Sequence, residues 1–299
     1  MILYKMSEFS NSDVLNSISY ASVMDMLRVT MLVYNYGKDI SLTDDNMTVE
    51  TFVDKMKQSG GFDKLNLNET RKGVLEDIAN NIPNGKLAAF INDEETDLQV
   101  GVTVSELNKR ISVVFRGSES KSDWYYDLMI FKHKLTDKIS VHSGFHKQLT
   151  DNKTYEKLME KLKELLMEHP DYAVYVTGHS LGGALSTLFG YMLSNEIDNQ
   201  VTVISFASPR VGNYEWKQAF EQKTNLTHYR ITNNRDIVTA FPLYRYYHVG
   251  HNIRLFDDKF DLFDRDTLRG WYDETFLTCW SVAEHDCELY YNRLTNANW

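Results

Sequence analysis

The feature that most constrains this chain is a short passage that joins a strand to a helix. An apolar run over residues 172–176 leads into Gly178-His179-Ser180-Leu181-Gly182-Gly183-Ala184, and a helical pattern over residues 181–194 follows at once. A strand that turns this sharply into a helix holds the serine hydroxyl above the sheet edge. Glycine is needed on both sides, because a Cβ there would meet the neighbouring strand or helix. The free N–H groups at the helix start then face the serine and can stabilise negative charge developing beside it. Such a turn belongs to an α/β sheet, and it makes Ser180 a candidate nucleophile.

The rest of the chain agrees with that architecture. Apolar residues recur at helical spacing over 14–36, and shorter helices are expected over 48–56 and 68–79. Strand patterns follow at 87–91, 99–104 and 111–115, separated by polar turns at 92–97 and 106–109. An amphipathic helix over 154–168 carries Leu158, Leu162, Leu165 and Leu166 on one face and ends before Pro170. Further strands are expected at 201–206 and 228–232, with a helix over 214–222 between them. This alternation predicts a predominantly parallel central sheet with helices on both faces. No repeat or linker divides the sequence, so one domain over residues 1–299 is expected, with residues 1–85 as a mainly helical N-terminal part.

Composition removes several function classes. Lys and Arg number 32 against 42 Asp and Glu, for a net charge of −10, which lacks the basic footprint that nucleic acid requires. The same balance disfavours simple electrostatic docking on anionic membranes, while apolar insertion stays open. The two cysteines, Cys279 and Cys287, form no CxxC pair or Cys/His cluster, so no metal or other cofactor is expected. The N-terminus lacks a basic segment followed by a long apolar one, and no run of 18 apolar residues occurs. The expectation is a soluble intracellular protein whose contact with lipid surfaces is peripheral.

A serine needs a base, and the base needs a carboxylate to orient it. In this kind of sheet the order along the chain is serine, acid, histidine. Asp236, just beyond the strand at 228–232, lies where an open α/β sheet builds its site. Three histidines follow it: His248 and His251, in a run that reads as a strand entering a turn, and His285, at the start of the last helix. Composition and spacing do not choose among them.

Several blocks, in order, resemble the class 3 lipase family, the fungal-type triacylglycerol lipases and their plant relatives. The elbow at 178–184 is one. Val113-Val114-Phe115-Arg116-Gly117-Ser118 resembles the strand ending in the family's oxyanion loop, and residues 124–128 its Trp-x-x-Asp-Leu. Val141-His142-Ser143-Gly144-Phe145 and Ser208-Pro209-Arg210-Val211-Gly212-Asn213 match two more, Asp236 falls in Asn-x-x-Asp-x-Val, and His285 with Tyr290 resembles the C-terminal pair. Residues 1–85 match none of these blocks.

The resemblance implies an α/β-hydrolase fold and hydrolysis of lipid carboxylic esters, acylglycerol or phospholipid, through an acyl-enzyme. It selects His285 as the base and leaves His248 a structural role near the entrance. It assigns the backbone N–H groups of Ser118 and Leu181 to the oxyanion hole, and Trp124, Tyr125 and Leu128 to a lid over the serine. Two rivals share the scaffold: a catalytically silent relative that acts through partners, and an acyltransferase that uses the same three residues.

Overall fold

A computed structural model describes residues 17–35, 47–48, 85–117, 131–263, 280–297 and 299. The helix expected over 68–79 lies outside the described residues. So does that over 48–56, except Thr48, which is extended and pairs with Lys86 at the sheet edge. Ser118, the lid residues Trp124, Tyr125 and Leu128, and Cys279 also lie outside them.

The strands are β1 (Met47–Thr48), β2 (Gly85–Asp93), β3 (Leu98–Ser105), β4 (Arg110–Phe115), β5 (Lys132–Lys134), β6 (Ser140–His142), β7 (Ala173–His179), β8 (Val201–Phe206), β9 (Leu226–Asn233), β10 (His251–Leu255) and β11 (Phe260–Phe263). Among the described residues nine form one sheet in the order β1-β2-β3-β4-β7-β8-β9-β10-β11, while β5 and β6 make a separate hairpin. From β4 to β10 every pairing in the sheet is parallel, as expected for its centre. Both edges are antiparallel, through β1–β4 and β10–β11. The turns at residues 94–97 and 106–109 explain one edge: four residues suffice to reverse a chain, whereas a parallel crossover needs a dozen or more. Asp97 and Lys109 take the positive φ, 52° and 46°, that closes those turns.

Among the described residues the α-helices are α1 (Tyr20–Asn35), α2 (Ser143–Thr150), α3 (Thr154–Glu168), α4 (Leu181–Leu193), α5 (Tyr214–Glu221) and α6 (Cys287–Asn296). Alternate residues of a strand point to opposite faces, so one strand feeds two cores. On β4, Val114 joins Val23, Leu27 and Leu32 of α1 and Tyr290 and Leu294 of α6. Its neighbour Val113 joins Phe145, Leu158, Leu162 and Leu185 of α2, α3 and α4. Helices therefore cover both faces, and each fully buried side chain of this size contributes about 1.5–3 kcal/mol.

Of the helical pattern expected over 14–36, residues 20–35 form α1, whose start is fixed where the Ser19 hydroxyl accepts the Ser22 N–H at 3.1 Å; residues 14–16 and 36 lie outside the described residues. Two further bonds fix α1 against the sheet: Thr30 to Thr177 between hydroxyls at 3.2 Å, and Arg110 to Asp25 at 3.1 Å. This matters for the site, since the last turn of α1 arrives directly behind the serine.

Candidate active site

β7 runs without interruption to His179, and α4 begins at Leu181, so Ser180 alone makes the turn. Its φ of 59° and ψ of −124° lie where a side chain is strained, of order 1–3 kcal/mol. The surroundings hold it there. Ser180 N–H donates to Phe206 carbonyl on β8 at 3.0 Å, and its own carbonyl accepts from Ala184 N–H at 3.2 Å. A Cβ on Gly182 would lie 2.3 Å from the Phe115 carbonyl oxygen, and one on Gly178 2.4 Å from Gly182. Only glycine lets α4 come this close to β4 and β7.

Three side chains from distant parts of the chain meet at this point. His285 Nε2 lies 2.7 Å from Ser180 Oγ, and His285 Nδ1 lies 2.9 and 3.1 Å from the two Asp236 oxygens. Nδ1–H donating to the carboxylate leaves Nε2 to accept the serine proton, the arrangement a general base needs. Asp236 follows β9 and caps the short turn Ile237–Ala240, accepting Val238 N–H at 2.9 Å. Its side chain is fully buried, and Tyr290 of α6 donates its hydroxyl to the second oxygen at 2.7 Å. A β-bridge between Asp236 and Ser281 draws the segment carrying His285 alongside. Asp286, accepting Glu288 N–H at 2.9 Å, then starts α6 immediately after the histidine.

The other two histidines go elsewhere. The half-buried His248 lies 2.7 Å from Thr239 carbonyl through Nε2, and desolvation with Arg230 and Arg210 nearby holds its pKa well below the usual imidazole range. His251 opens β10 and faces the Tyr229 ring. The run expected as a strand entering a turn is a turn entering a strand, because Gly250, at a φ of 75°, reverses the chain just before β10.

Two contributors were not assigned a role from sequence. Tyr290 appeared only as part of a motif; it holds Asp236 and also accepts Asn233 N–H at 2.8 Å. Burial and Asp236 push its pKa well up, so it remains a neutral donor. His179 packs its ring 4.7 Å from that of His285, and its Nδ1 meets the Tyr34 hydroxyl of α1 at 3.0 Å. Burial, and then His285, lower its pKa well below the ordinary value, so it adds no charge beside the base. No sequence spacing links Tyr34 to a site 145 residues away.

Leu181, whose N–H is the first of α4, lines a cavity of about 450 Å³ together with Ser180, His142, Phe145, Pro209 and Val238. The described chain on the other side of the serine ends at Gly117, tight against the Tyr34 hydroxyl and the His179 carbonyl. No group of His, Cys, Asp and Glu among the described residues is placed to hold a metal. No described helix is long and apolar enough to cross a membrane.

A central parallel sheet, a strained serine between strand and helix, and an imidazole bridging it to a buried carboxylate define an α/β-hydrolase. Residues 112–246 match the family model described as Lipase (class 3). That stretch, a little under half of the chain, is similar to the class 3 lipases. The chain is similar to phospholipase A1-Igamma2, chloroplastic, of Arabidopsis thaliana, with 29% identity over 183 residues, 51% of this chain and 33% of that protein. It is also similar to secreted mono- and diacylglycerol lipase A of Penicillium cyclopium, with 30% identity over 157 residues, 52% of this chain and 50% of that one. The matched stretch thus spans half or less of these relatives' own length. Among solved structures, a mutant form of MDLA from Penicillium cyclopium superposes with a TM-score of 0.69 at 20% identity, covering 97% of this chain and 99% of that one. A triacylglycerol lipase described as having a serine protease triad at its catalytic centre gives 0.64 at 20% identity, over 93% and 94%. Those likenesses establish the fold.

Proposed function

We propose that this chain hydrolyses carboxylic esters of lipids through an acyl-enzyme on Ser180. The observation that carries the reading is the position of His285, hydrogen-bonded to Ser180 through one ring nitrogen and to Asp236 through the other. Ser180 attacks the ester carbonyl as His285 takes its proton, and His285 then returns that proton to the departing alcohol. Asp236 stabilises the imidazolium in between, held in place by Tyr290. The oxyanion forms against Leu181 N–H at the helix start, with Ser118 N–H as the second donor; losing one such donor costs about 10²–10³ in rate. Water activated by His285 releases the fatty acid. No step requires a cofactor.

The substrate is an acylglycerol or a phospholipid, the two classes named for the relatives from Penicillium and Arabidopsis. Residues 1–299 act as one domain in this reading, and Trp124, Tyr125 and Leu128 belong to a segment that covers the serine between turnovers. An intracellular setting with peripheral lipid contact is part of the same reading; the Penicillium relatives are named as secreted, so export is its rival.

Labelling with a fluorophosphonate tests the proposal. Stoichiometric labelling of the full chain, lost in Ser180→Ala, is the expected outcome, with the turnover of p-nitrophenyl esters falling about 10⁶-fold in that variant. A folded chain that stays unlabelled in detergent would sink the enzymatic reading.

A further inference from the structure

Net charge argues against attraction to an anionic surface, yet charge and apolar exposure are unevenly placed. Seven large apolar side chains are exposed among the described residues, and four of them lie in segments that pair with or bond to the segments carrying His142, Pro209 and Asp236. Phe131 is 68% exposed, Tyr244 64%, Val282 54% and Leu243 41%. Lys132, next to Phe131, pairs in the β5–β6 hairpin with His142, which lines the cavity. The 241–245 loop is held by Arg210 N–H donating to Phe241 carbonyl at 2.7 Å, directly after cavity-lining Pro209. Val282 lies between Ser281, bridged to Asp236, and the base His285. By contrast, Leu107 and Met167 lie in segments leading into β4 and β7, at the opposite ends of those strands.

The same segments carry cations. Lys132 Nζ donates to Arg245 carbonyl at 2.8 Å and lies 4.6 Å above the Tyr246 ring, while the Arg245 guanidinium lies 5.1 Å above that of Tyr244. Neither cation makes an ion pair among the described residues. Exposed Lys134 follows on β5. Glu215 faces Lys132, Asp137 lies in the hairpin turn, and the cavity itself is lined by Glu95, Asp97 and Asp151 as well as Lys147. Burial, then Arg245, draws the Lys132 pKa down with Glu215 opposing, as expected of like charges held close without a full counterion. Exposed aromatic and aliphatic side chains interleaved with Lys and Arg suit a headgroup layer, where apolar tips insert and cations meet phosphate.

The geometry points to the rim formed by Phe131, Lys132, Leu243, Tyr244 and Arg245 as a seat for anionic lipid surfaces, one that turns the serine cavity toward the bilayer. This deepens the proposed function, and its occupant is a phosphate-bearing anionic membrane.

Sedimentation with vesicles tests it, using the full chain with Ser180→Ala so that no lipid is consumed. Binding to vesicles of equal parts phosphatidylcholine and phosphatidylglycerol is expected to exceed binding to phosphatidylcholine alone, and added salt should erase the difference. At about 1 kcal/mol for each cation near such a surface, Arg245→Gln should bind about fivefold more weakly. The pair Lys132→Gln and Arg245→Gln should lose about thirtyfold. Phe131→Ser with Tyr244→Ser should weaken binding to both vesicle types. Equal binding to the two vesicle types, or full binding by the double Gln variant, overturns the proposal. The same surface variants with Ser180 restored should hydrolyse a soluble short-chain ester at the unaltered rate. Absence of that hydrolysis in the parent chain counts against the ester-hydrolase reading and leaves the vesicle result standing.

Discussion

The two halves of the candidate site are built differently. The elbow is a local object: strand, serine and helix are contiguous, and its geometry is enforced by backbone contacts that tolerate only glycine at 178 and 182. The acid–base arm joins Asp236, His285 and Tyr290 across 49 and 54 residues, and side-chain hydrogen bonds hold it together. A backbone-enforced turn resists substitution through packing, whereas a hydrogen-bonded arm fails through lost orientation and unsatisfied buried groups.

Three substitutions sharpen that contrast. Asp236→Asn should have the largest effect among them, lowering kcat about 10⁴-fold with little change in thermal midpoint, since an amide N–H facing Nδ1 favours the wrong tautomer. Unaltered steady-state kinetics would show that the carboxylate does not orient His285. Gly182→Ala acts on the other half: its Cβ would meet the Phe115 carbonyl at 2.3 Å, so the cost should appear as stability, about 3 kcal/mol in urea unfolding. A variant as stable as the parent would mean the elbow can shift. Tyr290→Phe should be mildest, removing about 1.5–3 kcal/mol because it leaves Asp236 and Asn233 N–H each short of a partner in a buried site. Its kcat should fall far less than that of Asp236→Asn, and an equal fall would make Tyr290 an equal partner of the carboxylate.

Legibility in the sequence followed the same division. The helix expected over 154–168 is α3 without a residue's difference, and the strand expected at 111–115 is β4 less Arg110. Both have strong apolar periods, on which sequence reading rests. The β5–β6 hairpin went unread because Lys132-His133-Lys134 shows no alternation; β5 pairs through backbone, and the hairpin's core contact comes from Val141 of β6 with Leu135 and Ile139. The antiparallel edge was equally silent in a strand-by-strand reading, since direction depends on the connection rather than the strand.

By itself the sequence determined the elbow, the sheet it requires and the serine–acid–histidine order, because each is written in neighbouring residues. Spacing left His248, His251 and His285 open and resemblance alone favoured His285; the tertiary structure brings it to Ser180, and alone brings Tyr34 from α1 to His179. It also gathered Lys132 and Arg245 beside exposed aromatics in a chain of net charge −10. Charge balance is a sum over the whole chain, whereas recognition acts over roughly a Debye length, about 8–10 Å. Which residues share that distance is a property of the fold.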